Sequence, residues 1–265
     1  MVSQIQRSDV YVSRRGAGPA ILFLHGAPDS AELWDGVIDR LEDRYQCFAP
    51  DLPGFGRTAT PRDFEVSLDY LAGFIDDLVE TYEIPVPLDL VVMDFGATYG
   101  LSWAVKHPEK VKRIVIAGGS NFSVSYRWHR DARMLRTPLL GELGMLTMSR
   151  ATLEKMMQKN APGVSQAYVR QEYELSLSKV QTRRMMLRLY RGLNAQDFVG
   201  WEERFAALTT HVPTYVLWGD KDPYVTPAGA ERFGQAQVEH FSQYGHWLPV
   251  EAPELVAARL TTFFT

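Results

Sequence analysis

Asp94 sits where an apolar run stops abruptly. The segment is Leu90-Val91-Val92-Met93-Asp94-Phe95-Gly96-Ala97-Thr98-Tyr99-Gly100. A Val-rich strand pattern runs into an acid, then into small residues and a helical pattern. A side chain on such a strand–turn–helix bend is presented at the edge of a sheet and can act as a nucleophile. A carboxylate is poorly suited to attack an ester or amide, because the product is an anhydride. Attack on an sp³ carbon that carries a halide or an epoxide oxygen gives a stable ester instead, which water can later cleave.

Two further residues complete a reacting set in chain order. Asp222 lies in Leu217-Trp218-Gly219-Asp220-Lys221-Asp222-Pro223, just past an apolar strand, and His246 lies in Tyr244-Gly245-His246-Trp247-Leu248-Pro249. A histidine on a short loop before the last helix can reach the bend while its second nitrogen faces an acid. His246 then takes a proton from the water that cleaves the ester, and Asp222 fixes its tautomer. Asp220 competes for the acid role; the Gly-x-x-Asp spacing selects Asp222. After the second strand stands His25-Gly26-Ala27-Pro28. The backbone N–H groups of Ala27 and Phe95 are expected to form an oxyanion hole.

These residues need a scaffold. Up to about residue 120, strand and helix signals alternate. Strands are expected over Asp9–Arg14, Ala20–Leu24, Gln46–Ala49, Leu88–Met93 and Val111–Ala117. Helices are expected over Ser30–Leu41, over Ala97–His107, and after Ser67, where Leu68, Leu71, Ile75, Leu78, Val79 and Tyr82 recur at steps of three or four. From Asn121 to about Leu208 there are helix signals only, at Ala151–Lys159, Val164–Ser176 and Val180–Leu193. Alternation resumes with strands at Thr214–Trp218 and Val238–Ser242 and helices at Ala228–Phe233 and Pro253–Phe263. Strands separated by helices imply a mostly parallel α/β sheet covered on both faces. Residues 1–120 and 209–265 would form the core. Residues 121–208 read as a helical cap inserted at the carboxyl edge of the sheet, where ligands bind in open α/β sheets.

Composition narrows the class. Of 265 residues 46% are hydrophobic and 23% charged, with a formal net charge of −4. That balance gives no reason to expect nucleic acid or an anionic membrane as a partner; a small-molecule substrate is expected. Cys47 is the one cysteine, which favours a reducing, cytoplasmic compartment. The start, Met-Val-Ser-Gln-Ile-Gln-Arg, lacks the apolar region of a signal peptide. No stretch approaches the about 18 apolar residues of a transmembrane span. No residues have metal-ligand spacing, and neither a metal nor a cofactor is expected.

His25-Gly26-Ala27-Pro28, Ala49-Pro50-Asp51-Leu52-Pro53-Gly54-Phe55-Gly56, the Asp94 bend, Trp218-Gly219-Asp220-Lys221-Asp222 and Gly245-His246-Trp247 together resemble the α/β-hydrolase fold superfamily over essentially the whole chain. Within it the chain resembles the Asp-nucleophile branch of haloalkane dehalogenases and epoxide hydrolases. Departures from those patterns carry information. Val92 stands where epoxide hydrolases usually keep glycine and dehalogenases commonly have valine. Dehalogenases normally place Trp after the nucleophile to bind the leaving halide, but Phe95 has no N–H to donate. Many also carry a polar halide-binding residue where Ala27 stands. Trp34 and Trp128 are possible substitute donors, and Trp247 is a further pocket candidate.

Epoxide opening needs a proton for the leaving oxygen, and the related epoxide hydrolases use cap tyrosines. The candidates here are Tyr126, Tyr168, Tyr173 and Tyr190, with Tyr168 and Tyr173 preferred because they share an expected helix. The resemblance thus implies epoxide hydrolysis through an ester on Asp94. Carbon–halogen hydrolysis is the runner-up, and a non-hydrolytic or ligand-binding scaffold is the alternative of another class. His129, His211 and His240 read as surface residues. The arginines Arg183, Arg184, Arg188 and Arg191 read as a solvated helix face. Met145, Met148, Met156, Met157, Met185 and Met186 suit either a core or an adaptable apolar pocket.

Overall fold

The computed structural model describes residues 10–120 and 122–265; Asp9, Asn121 and the N-terminal heptapeptide lie outside the described residues. Among the described residues there are seven strands: β1 (Val12–Arg15), β2 (Ala20–Leu24), β3 (Gln46–Pro50), β4 (Leu88–Val92), β5 (Val111–Ala117), β6 (Thr214–Gly219) and β7 (Gln237–Phe241). They form one sheet in the order β1-β3-β2-β4-β5-β6-β7. β1 pairs with β3 antiparallel and every other pair is parallel. β2 and β4 are buried along their full length, as expected of parallel strands covered on both faces.

The helices of the core are α1 (Asp35–Ile38), α2 (Leu68–Thr81), α3 (Phe95–Lys106), α10 (Leu248–Glu251) and α11 (Pro253–Phe264). Ser67 caps α2 by accepting from the Tyr70 N–H at 3.2 Å, satisfying one of the donors that a helix start leaves open. The expected helix over Ser30–Leu41 is instead a 3₁₀ turn, Ala31–Trp34, followed by the single turn of α1. The expected helix at Ala228–Phe233 is a 3₁₀ segment, Pro227–Arg232.

Between β5 and β6 the chain is helical: α4 (Arg130–Arg136), α5 (Leu140–Thr147), α6 (Arg150–Asn160), α7 (Gln166–Glu172), α8 (Val180–Gly192) and α9 (Trp201–Leu208). α7 runs into a π-helical turn, Tyr173–Leu177. The α8 arginines tie this segment together. Arg183 donates to the carbonyls of Leu177 (2.7 Å) and Met148 (2.9 Å), and Arg191 to that of Leu135 (3.0 Å) and to Glu142 (2.6 Å). Arg188 reaches the Phe64 carbonyl of the core at 2.5 Å. Bonds of this kind satisfy main-chain acceptors at helix ends, so these residues do more than solvate a face. No described helix is long and apolar enough to cross a membrane.

Candidate active site

β4 delivers Met93 to the carboxyl edge of the sheet, and α3 begins at Phe95. Asp94 is the bend between them, with φ 48° and ψ −124°. A non-glycine residue at positive φ costs on the order of 1–3 kcal/mol and persists only when its surroundings impose it. Here they do. The Asp94 N–H donates to the Gly119 carbonyl at 2.8 Å. A Cβ on Gly26 would lie 2.5 Å from the Asp94 Cβ, and one on Gly96 would lie 2.3 Å from the Leu24 carbonyl oxygen. Glycines at both positions let the loop after β2 and the start of α3 close on the bend.

The Ala27 N–H donates to Asp94 Oδ1 at 3.0 Å, and the Phe95 N–H also bonds this carboxylate. The two donors expected from sequence therefore converge on Asp94 itself. His25 fixes the loop that carries one of them. Its Nε2 accepts from the Leu52 N–H at 2.9 Å, so its Nδ1 is the protonated nitrogen and donates to the Gly26 carbonyl at 2.6 Å. Burial holds this imidazole below its usual range, consistent with a neutral structural histidine.

His246 stands on the turn between β7 and α10. Its Nδ1 is 2.7 Å from Asp222 Oδ2, while its Nε2 is 3.8 Å from Asp94 Oδ2, too far for a hydrogen bond. Asp222 Oδ1 accepts from the N–H groups of Tyr224 (2.7 Å) and Val225 (3.0 Å), which orients the carboxylate. Asp220 faces away, 2.6 Å from His240 Nδ1. Asp222 is thus the acid next to His246. Burial opposes a charged His246 imidazole, yet Asp222, Asp94 and Asp29 together raise it to about 9. Burial raises the Asp94 carboxyl, opposed by His246 and the two N–H donors.

A cavity of about 290 Å³ opens over these groups. Asp94 keeps 16% of its side-chain surface exposed and lines this space beside His246, so a molecule can reach it. The other walls are largely apolar, including Met145, Met148, Met156 and Met186. Met157 and Met185 are buried and do not line the cavity.

Of the aromatic candidates, Trp128 and Trp247 line the cavity; Trp34 does not. Trp34 is fully buried against Phe23, with ring centroids 5.2 Å apart, so it is a core residue. Tyr168 and Tyr173 lie outside the cavity as well. The Tyr168 hydroxyl donates to Asp29 at 3.1 Å, the Tyr173 hydroxyl contacts the Met148 carbonyl at 3.5 Å, and neither residue lines the cavity. A spacing of five residues turns about 140° around a helix, so the pair never shared a face.

Tyr126 and Tyr190 occupy the cavity instead. Burial, with the Asp94 charge as the next cause, raises both phenols, so each keeps its proton at neutral pH. His129 is no surface residue either. It lines the cavity, caps α4 by accepting from the Ala132 N–H at 3.3 Å, and is held to about 4 by burial.

Sequence reasoning missed Asp29. It is 4% exposed and accepts from Trp247 Nε1 at 3.2 Å on both oxygens, beside the Tyr168 bond. Burial raises its carboxyl to about 6. Its only sequence signal was its place directly after Ala27-Pro28.

A carboxylate on a strained bend, two N–H groups aimed at it and a histidine backed by an acid are the parts of a hydrolase on a parallel α/β sheet. The chain belongs to the α/β hydrolase fold family, whose pattern matches residues 19–253. It is similar to a cis-3-alkyl-4-alkyloxetan-2-one decarboxylase of Xanthomonas campestris pv. campestris, at 27% identity over 93% of this chain and 88% of that protein. It is similar to a haloalkane dehalogenase of Mesorhizobium japonicum, at 24% identity over 95% of this chain and 90% of that one. The fold is shared with the epoxide hydrolase of Bacillus megaterium, solved with an inhibitor, with a TM-score of 0.75 and 20% identity over 96% of both chains.

Proposed function

We propose that this hydrolase opens an epoxide on a small, neutral, largely apolar molecule through an ester on Asp94, with the helices between β5 and β6 acting as its cap. One observation carries the reading: the cavity that exposes the Asp94 carboxylate also holds the phenols of Tyr126 and Tyr190.

Asp94 Oδ1 is occupied by the Ala27 N–H, which leaves Oδ2 to attack the ring carbon. The carbon–oxygen bond breaks, its electron pair goes to the ring oxygen, and a phenol supplies the proton that water later restores. The ester carbonyl oxygen then lies against the Ala27 and Phe95 N–H groups. Alkylation removes the Asp94 charge, one of the carboxylates that hold the His246 proton. The imidazole then gives up its Nε2 proton, which returns through solvent to the phenolate, and can take a proton from the attacking water at that nitrogen. Hydroxide adds to Cγ, and the two N–H groups stabilise the oxyanion, worth roughly 2.7–4 kcal/mol per donor. Collapse expels the diol and restores Asp94. No cofactor enters this scheme.

A second reading keeps the first step. An oxetan-2-one, the ring in the name of the Xanthomonas relative, also bears oxygen on an sp³ ring carbon. Attack there expels a carboxylate, which needs no proton, so two buried phenols favour the epoxide. Carbon–halogen hydrolysis ranks lower because Phe95 donates nothing to a halide, although Trp128 lines the cavity.

The test is His246→Gln incubated with styrene oxide, a cis-dialkyl oxetan-2-one and 1-bromobutane, followed by intact mass. An adduct on Asp94 from styrene oxide, with diol formed by the wild type, supports the reading. Alkene and carbon dioxide, or halide release at enzymatic rates without diol, would overturn it. So would a fully active Asp94→Asn, once deamidation is excluded.

A further inference from the structure

We propose that Asp29 is a positioning residue for His246: its carboxylate holds Trp247 against the imidazole and supplies a third negative charge to it, while Tyr168 ties that carboxylate to the inserted helix α7. The inference rests on the role given to His246 above.

The geometry is specific. Trp247 Nε1 lies 3.2 Å from each Asp29 oxygen, and an indole N–H only donates, so Asp29 acts as the acceptor. The Trp247 ring meets the His246 ring edge to face, with centroids 4.9 Å apart at 80°. Tyr224 stands on the imidazole too, at 5.1 Å and 82°. Two aromatic rings thus pack on the imidazole and on each other, 5.8 Å apart, and one of them is pinned by Asp29.

A proton count shows which buried acid of this cluster carries charge. Ser30 Oγ lies 2.6 Å from Glu32 Oε2 and 2.7 Å from Glu172 Oε1. A hydroxyl has one proton, so it cannot donate to two carboxylates at once, and one of the acids must be protonated. Glu32 accepts two bonds from Arg57, at 2.6 and 2.8 Å. Glu172 is 5% exposed, and its Oε2 has no hydrogen-bond partner. Burial, then the charge of Asp29, raises it far above the carboxylate range. Glu172 is therefore the neutral acid. Asp29, with N–H and O–H donors on it, is the charged one, bonded to Trp247 beside His246.

The titratable groups around His246 are Asp222, Asp94, Asp29, Glu251, His129 and Tyr224. Asp94 loses its charge in the ester, whereas Asp222 and Asp29 keep theirs. Asp29 is thus placed to tune how readily the imidazole gives up its proton when the ester must be cleaved.

The test is the ring-proton NMR titration of His246 in wild type, Asp29→Asn and Asp29→Ser. The second variant leaves a smaller side chain should the amide not fold. Removing the charge moves the His246 midpoint about one pH unit lower. The acid limb of kcat on styrene oxide moves the same way, because hydrolysis needs the neutral imidazole; Asp29→Glu restores part of both. A midpoint and limb that stay in place, with activity lost only through KM or stability, would overturn the proposal. Should styrene oxide and the other probes give no adduct on Asp94, the proposed reaction fails separately. The NMR titration still decides the coupling of Asp29 to His246.

Discussion

The Tyr190 ring packs edge-on against Phe95, with centroids 5.1 Å apart at 79°, so the residue after Asp94 supports a phenol from α8. The Trp128 ring also packs on Tyr190, at 5.4 Å. The phenol packed by these rings lies within the field of Asp94. Tyr190→Phe keeps the packing and removes only the donor. The expected result is a loss of about 10²-fold in kcat for ring opening, with the melting temperature nearly unchanged. Tyr126→Phe is expected to lose less, and the double variant about as much as general acid catalysis supplies in full, up to about 10⁴-fold. Single-turnover adduct formation in the His246→Gln background measures this, because it isolates alkylation from hydrolysis.

Gly119 offers a sharper cut between chemistry and stability. A Cβ there would lie 2.2 Å from Asp222 Oδ2 and 3.0 Å from His246 Nδ1. It would push apart the two atoms that share a 2.7 Å bond. Gly119→Ala is expected to cut steady-state turnover by at least about 10²-fold while an ester on Asp94 still forms and accumulates. Intact mass during turnover reads this directly. An unaltered rate without accumulation would remove Asp222 from the hydrolytic step.

The pH dependence of stability follows from His246. Its folded value of about 9 lies above the ordinary 6.5. The folded state therefore binds the proton more tightly than the unfolded chain. The stabilisation is fully present below about pH 6.5 and is lost as pH rises through about 9. Thermal melts between pH 6 and 10 are expected to show wild type losing its advantage over His246→Gln across that window. A constant difference between the two proteins would contradict the assignment.

What the sequence made legible has a physical boundary. Strand and helix periodicity, with Gly and Pro as stops, recovered all six parallel strands of the sheet that carries Asp94, Asp222 and His246, because those residues sit at element ends with local signatures. Residues that depend on how helices lie over the sheet were misread. Tyr168 and Tyr173 share an expected helix, but side-chain direction decides access, and the π-helical turn from Tyr173 onward leaves no 3.6-residue trace. Trp34 was a plausible donor because a large polar-tipped aromatic suits a pocket equally in sequence. Its place in the 3₁₀ turn after β2 puts it in the core. Asp29 and Glu172 are 143 residues apart in the chain, and only the docking of α7 on the loop after β2 gives their pairing a meaning.

Phe95 is the position at which the two enzyme readings part, and replacing it tests them together. Phe95 is 1% exposed and touches Tyr190, so a larger indole must displace that ring. Overpacking of this kind costs about 1–3 kcal/mol. Phe95→Trp is accordingly expected to melt lower and to open styrene oxide more slowly, because Tyr190 loses its support. The indole N–H alone is not expected to give halide release from 1-bromobutane, since Ala27 contributes no polar side chain beside it. Free halide and diol measured on the same sample decide the matter. If the variant releases halide at enzymatic rates while the wild type makes diol, the Asp94 machinery serves both leaving groups and residue 95 selects between them.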